Sequence, residues 1–143
     1  MDFYICLTSS SPEDGIFANT PNNFTVNTPS LARLQGQWEC ALVELSLDCQ
    51  FTPKRERLYM CCDFLEQGYI NQRPVSYLRN IEIRGRYKKY MSEIYADARY
   101  VPLRLGWRNQ INIQLLDDEM KPVEFDADTP LHCVLHFRRR WVP

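Results

Sequence analysis

The sequence predicts an all-β protein, a single jelly-roll β-sandwich of about eight antiparallel strands that fills residues 1–143. Three observations predict this fold class. Apolar and polar residues alternate with period two along several short segments, turn-forming residues separate those segments, and the length suits one hydrophobic core. We find no internal repeat and no linker that would divide the chain, so we expect one domain.

The first half of the chain contains four predicted strands. Residues 23–28 alternate cleanly, and residues 38–47 are apolar on both faces, which is typical of a strand in the middle of a sandwich. Residues 58–64 and 77–83 supply two more strands. Residues with turn chemistry separate the segments, at 19–22, 35–37, 52–54, 72–74 and 84–86.

The second half closes with the clearest alternation. Residues 131–137 place Leu131, Cys133, Leu135 and Phe137 on one face, as a core strand requires. Residues 111–115 behave in the same way, and the acidic segment 117–122 after them is typical of a turn. Residues 87–98 fit a short helix or a strand, and the sequence does not decide between them.

Composition limits the possible partners. Hydrophobic residues make up 45% of the chain, which excludes disorder, and a formal net charge of -1 predicts no nucleic-acid partner. No apolar run approaches the length of a bilayer span, so we expect no membrane span. Met1 and Asp2 do not begin a secretory signal, so we expect a protein that is not secreted through a signal peptide.

The six cysteines are expected to be reduced and mostly buried, because a chain with its own core does not need disulfides. Cys61 and Cys62 are adjacent, so their side chains should point to opposite faces of a strand and not form one site.

Residues that could carry catalysis are few. His132 and His136 are the two histidines, and on one strand they lie about 13 Å apart, too far to share a zinc ion. We expect both to be exposed or to lie at an interface. Glu39 and Glu44 are expected on opposite strand faces, which excludes a simple acid/base pair. We therefore expect no enzyme, no catalytic residue, no metal and no cofactor.

Three charged clusters need a separate interpretation. The acidic turn Asp117-Asp118-Glu119 could bind calcium, but such a turn is usually only solvated. The two basic clusters are either solvated edges, salt-bridge donors between subunits, or phosphate contacts with an aromatic neighbour. The candidate anion contacts are Arg84, Arg86, Lys88 and Lys89, and the second cluster is Arg138, Arg139 and Arg140 followed by Trp141.

Several pieces of the sequence, in this order and spacing, resemble penton-type (vertex) capsid proteins of Polinton/Maverick and adintovirus-like elements. The pieces are Phe3-Tyr4-Ile5-Cys6-Leu7, Asn23-Phe24-Thr25-Val26, Gly36-x-Trp38-Glu39, Cys62-Asp63-Phe64, Pro74-Val75, Ile111-x-Ile113-x-Leu115 and Leu135-His136-Phe137-Arg138-Arg139. The family is similar in architecture to adenovirus penton bases, which carry a large insertion for which this chain has no room.

The resemblance implies a structural protein of the virion capsid, assembled in the host nucleus or cytoplasm. It implies a homopentamer at the icosahedral fivefold vertices, with a double jelly-roll major capsid protein as neighbour. A fibre or another minor capsid protein is a further candidate partner. The jelly roll leaves two alternatives open, a carbohydrate-binding module and a minor capsid, cement or adaptor protein, because fold alone does not decide function.

A pentamer needs anchoring residues on its outer surface. Aromatic and arginine side chains are the usual anchors of an interface. A tail that contains tryptophan should dock against its own sandwich or a neighbouring subunit, and Trp38 and Phe137 could serve either as anchors or in the core. The subunit-interface candidates are Trp107, Arg108, Trp141, Arg138, Arg139, Arg140 and Tyr100.

Overall fold

The computed structural model describes residues 2–10, 19–48, 57–83, 90–104, 109–125 and 129–141. Within these ranges the chain forms strands, short turns and one 3-10 helix, η1 (Pro29–Arg33). The strands are β1 (Asp2–Thr8), β2 (Asn23–Asn27), β3 (Trp38–Asp48), β4 (Arg57–Cys62), β5 (Gly68–Ile70), β6 (Arg73–Val75), β7 (Tyr77–Glu82), β8 (Tyr90–Ile94), β9 (Val101–Pro102), β10 (Gln110–Leu116) and β11 (His132–Arg139).

The strands form two main antiparallel sheets. The first sheet has the order β1-β11-β3-β8, with β9 beside the start of β3, and the second has the order β2-β10-β4-β7. Strands β5 and β6 form a separate hairpin. The prediction of an all-β antiparallel sandwich is confirmed. Four of the strand pairs are nested in the sequence, β1 with β11, β2 with β10, β3 with β8 and β4 with β7, and two further pairs, β11 with β3 and β10 with β4, complete the two sheets.

The core lies between the two sheets, where alternate residues of each strand meet. The rings of Phe3 and Phe137 stack at 5.2 Å, and the Trp38 indole N–H donates to the carbonyl of Gln35 at 2.9 Å. Each fully buried large apolar side chain contributes roughly 1.5–3 kcal/mol. The largest fully buried side chains are Phe24, Phe137, Leu42, Leu45, Leu47, Leu58, Met60, Leu65, Leu78, Ile81 and Ile111.

A bulge in β3 changes which residues share a face. Val134 pairs with Glu44 but Leu135 pairs with Leu42, so Val43 is an extra residue in β3. On β11, which is regular, Arg138 lies four positions from Val134 and therefore on the same face. Arg138 pairs with Glu39 and Val134 pairs with Glu44, so the two glutamates lie on the same outer face. The prediction of opposite faces was wrong. The two carboxylates are still about 13 Å apart along the sheet, too far for a glycosidase pair.

The strand predictions are confirmed with local differences. Strand β4 ends at Cys62, two residues before the predicted limit of 64, and the ambiguous segment 87–98 contains strand β8. The turn predicted at 72–74 lies at Asn71 and Gln72, which have positive φ of 48° and 66°, and β6 begins at Arg73. The two central residues of a two-residue hairpin turn need this conformation, and one of them is usually a glycine. Neither is a glycine in this turn, so the sequence did not mark it.

The cysteines agree with expectation only in part. Cys40, Cys62 and Cys133 are buried, Cys61 points away from Cys62 and is partly exposed, and Cys6 is exposed on β1. These five described thiols are free. Burial raises the pKa of Cys61 and of Cys133 to about 12 and that of Cys40 and Cys62 well above the ordinary value, so these thiols stay protonated.

Candidate functional site

The outer face of the first sheet is unusual because its central positions are covered. Residues that pair across strands point to the same side, and Tyr4, His136 and Ala41 form one such row across β1, β11 and β3. Ala41 is fully buried and His136 is only 7% exposed, although neither faces the core between the sheets. We call this surface the first outer face.

His136 lies at the centre of the first outer face. The Tyr4 ring stacks on its imidazole at 4.5 Å, and the Tyr100 hydroxyl lies 2.7 Å from Nδ1. Nε2 lies 3.1 Å from a carboxylate oxygen of Asp2. Because that carboxylate accepts, we assign the proton of neutral His136 to Nε2, and Nδ1 then accepts from the Tyr100 hydroxyl.

His136 departs from the sequence-based expectation of two exposed or interface histidines. Within the single chain it is buried, because Tyr4 and Tyr100 cover it, whereas His132 is exposed as expected. Sequence reasoning placed His136 correctly on the face opposite the core. It missed the partners Tyr4 and Asp2, which come from the other end of the chain.

Two predicted interface residues, Tyr100 and Arg138, come together beside this histidine. The Arg138 guanidinium lies 3.4 Å above the Tyr100 ring and donates to the Glu39 carboxylate at 3.2 Å. A guanidinium over an aromatic face is stabilised by the ring quadrupole. The pair orders this end of the sheet, and the Arg138 side chain remains 46% exposed.

The other described interface candidates form a short segment after the same strand. The Arg139 guanidinium lies 5.9 Å from the Trp38 ring, and the Arg140 N–H donates to the carbonyl of Gln37 at 2.9 Å. Trp141 is 81% exposed, so it does not dock against its own sandwich. We call Arg139, Arg140 and Trp141 the tail.

The remaining candidates divide into two groups. Trp38 and Phe137 lie in the core, which decides between the two roles considered for them. The other candidates fall outside the described residues, so the expectations about them stay predictions. They are Trp107 and Arg108, and the anion contacts Arg84, Arg86, Lys88 and Lys89.

The outer face of the second sheet is polar by contrast. The Asn112 amide donates to the side-chain oxygens of Asn23 at 2.8 Å and Thr25 at 3.1 Å. The rings of Tyr59 and Tyr77 meet edge to face at 5.9 Å. Such a polar surface is normal for an antiparallel sheet whose outer face is solvated. The first outer face differs from it because its central positions are covered.

Edge strands β7 and β8 border a cleft of about 440 Å³ between the two sheets. Arg79 spans it: its guanidinium lies 3.9 Å above the Tyr95 ring, and donates to the Asp97 carbonyl at 3.2 Å and carboxylate at 3.1 Å. The hydrogen bond from Arg79 lowers the pKa of the Asp97 carboxyl, and burial raises the pKa of Tyr95 to about 12. Arg79 therefore joins the open edges of the sandwich.

The acidic turn after β10 is organised by the backbone. A carboxylate oxygen of buried Asp117 accepts from the N–H groups of Glu119 at 2.9 Å and Lys121 at 3.0 Å. The Lys121 ammonium lies 3.3 Å from the Glu119 carboxylate. Across the residues that the structure describes, no group of three or more His, Cys, Asp or Glu side chains could hold a metal ion.

Comparison with known proteins gives no relative from which a function could be transferred. The chain matches no family model, no curated protein and no solved structure. In the described ranges, no helix has the length and apolar character needed to cross a bilayer. The functional argument therefore depends on this chain's own surfaces.

Proposed function

We propose that this chain is a structural capsid subunit that folds as a jelly roll and forms a homopentamer at icosahedral fivefold vertices. The observation that carries the proposal is the nested pairing of strands in two facing sheets. Winding one long antiparallel hairpin into a sandwich produces nested pairs, and this is how a jelly roll is built. Viral capsid domains are among the proteins that use this architecture.

The first outer face supports self-association. Tyr4 is 63% exposed on top of the buried His136, and Ile94 is 76% exposed on β8 of the same sheet. Aromatic and apolar side chains held rigidly on a sheet lose little conformational freedom when a partner covers them. Such residues are typical interface anchors, which favours a subunit contact on this face.

The vertex position comes from the sequence resemblance to penton-type capsid proteins. In that setting the pentamer would sit among double jelly-roll major capsid subunits, and a fibre or another minor capsid protein would bind its exposed end. A ring of five requires a heterologous contact, in which two different patches of each copy meet.

Native mass spectrometry and averaged electron micrographs of the purified chain test the proposal. We expect rings of five copies, which Tyr4→Asp disrupts without unfolding the monomer. Gln110→Asp adds the same charge at the exposed start of β10 in the second sheet and should leave the ring intact. Monomers at every concentration, with no density for this chain at particle vertices, would refute the proposal. A one-to-one complex with another capsid protein would favour the cement or adaptor alternative.

Carbohydrate binding is the second candidate function, and the outer face of the second sheet favours it. The Asn23, Thr25 and Asn112 side chains suit sugar hydroxyls, and Tyr59 and Tyr77 lie on adjacent strands. Binding of the monomer to a glycan array, lost in Tyr77→Ala but kept in Tyr4→Asp, would support this function. Absence of glycan binding would exclude it.

A further inference from the structure

We propose that the tail of one copy docks on the β8 strand of the neighbouring copy, which deepens the pentamer proposal and depends on it. The receiving surface, which we call the β8 patch, consists of Glu44, Tyr90 and Ile94, which lie on the same face of the first sheet. The partner is thus a second copy of this chain, with Trp141 as the inserted side chain.

The tail is already held in place before it meets a partner. The backbone hydrogen bond from Arg140 to Gln37 and the contact of Arg139 with the Trp38 ring fix the segment up to its last described residue. Trp141 nonetheless leaves 81% of its side chain in solvent. A fixed backbone that presents an exposed tryptophan has little ordering entropy left to lose on binding.

The β8 patch offers an apolar surface beside a carboxylate. Ile94 and Tyr90 project from the same side of β8, as residues four positions apart do, and both are exposed. Glu44 pairs with Ile94 across the sheet and is exposed on the same face. Glu93 lies on the other face of β8 and is not part of the patch. The patch therefore combines exposed apolar side chains with one carboxylate beside Ile94.

The tail and the β8 patch are complementary in charge and in apolar character. The tail has an exposed indole beside two exposed arginines, Arg139 and Arg140, and the patch has an exposed isoleucine beside the Glu44 carboxylate. Tryptophan and arginine are the residues most enriched among interface anchors. Opposite charges around an apolar centre fix the register of a contact and exclude wrong partners.

The two surfaces cannot meet within one chain. Arg139 pairs with Trp38 at the start of β3, whereas Ile94 pairs with Glu44 beyond the bulge. Five regular steps of β3 separate these positions when the bulged Val43 is not counted, which is roughly 17 Å of strand. A contact between two different patches of identical copies is heterologous, and it closes a ring if the rotation per copy fits.

A charge-swap cycle on the full chain tests the contact. Arg140→Glu and Glu44→Arg should each raise the dissociation constant of the ring about 10-fold, and the double variant should recover to within about 3-fold of the native chain. Trp141→Ala should raise it about 30-fold or more. Glu124→Arg, an exposed residue outside both surfaces, is the matched control and should change nothing.

A second measurement decides the inference even where no ring forms. A fluorescently labelled Ile94→Arg chain, which keeps the tail but loses the patch, is added to the Trp141→Ala chain, which keeps the patch but loses the tail, and binding is followed by anisotropy. We expect saturable binding that Glu44→Arg in the Trp141→Ala chain weakens about 10-fold, and no binding when the labelled chain also carries Trp141→Ala. Rings that form equally well with every tail and patch variant would overturn this inference and leave the pentamer proposal intact. Failure of the two chains to bind each other would overturn it independently of ring formation.

Discussion

Replacing Arg79 tests whether one side chain joins the open edges of the sandwich. The variant Arg79→Met keeps much of the apolar stem but removes the guanidinium. In the native chain Arg79 is only 8% exposed. The cation–π contact with Tyr95 is worth about 1 kcal/mol and the charged hydrogen bond to the Asp97 carbonyl about 1.5 kcal/mol, both net of solvation. The Asp97 carboxylate is exposed and screened by solvent, so its smaller contribution is left out of this sum.

The free energy of unfolding should therefore fall by about 2.5 kcal/mol, measured by urea denaturation of the monomer at pH 7. For a chain of this size that loss lowers the melting temperature by roughly 5–10 °C. A double-mutant cycle with Tyr95→Leu should show a coupling of about 1 kcal/mol. If Arg79→Met lies within about 0.5 kcal/mol of the native chain, desolvation of the guanidinium offsets its contacts, and the argument is wrong.

Three further predictions concern acid, thiols and the buried histidine. The folded-state pKa of Asp97 is below its ordinary value of 3.8, so the pairing of Asp97 with Arg79 stabilises the protein above that pH. This stabilisation is lost as the pH falls through the lowered pKa. Melting temperatures measured toward about pH 2.5 should therefore drop less in Asp97→Asn than in the native chain. Iodoacetamide at pH 8.5 should label exposed Cys6 and leave buried Cys40, Cys62 and Cys133 unmodified, as read from a peptide map. Labelling of all four thiols at the same rate would contradict the burial of the last three. Tyr100→Phe leaves His136 Nδ1 without its hydroxyl partner and should destabilise the chain by about 1.5 kcal/mol in the same urea assay, whereas Tyr69→Phe, at an exposed residue, should be neutral.

The strands could be predicted from the sequence because their side-chain period is visible in single segments. Residues 131–137 and 111–115 alternate without interruption, and both form regular strands. The bulge at Val43 could not be predicted, because an apolar run reads the same with or without an extra residue. This one residue decides on which face Glu44 lies.

The candidate site was less accessible to sequence reasoning because its members are distant in the chain. Asp2, Tyr4, Tyr100 and His136 meet only when β1 pairs with β11 and the segment around β9 folds over their outer side. Tyr100 and Arg138 were identified from their residue types alone. Their contact with each other depends on strand order, which alternation does not specify.

The pairing of β1 with β11 also has a kinetic consequence. Asp2 pairs with Arg138, and among the described strands β1 pairs with β11 alone, so β1 stays unpaired during synthesis until β11 has emerged from the ribosome. Contacts so far apart in sequence make folding slow, and the unpaired β1 can pair with another nascent chain. We expect overexpression to yield aggregates whose amount depends on the rate of synthesis, because slower synthesis keeps fewer unfinished chains close together.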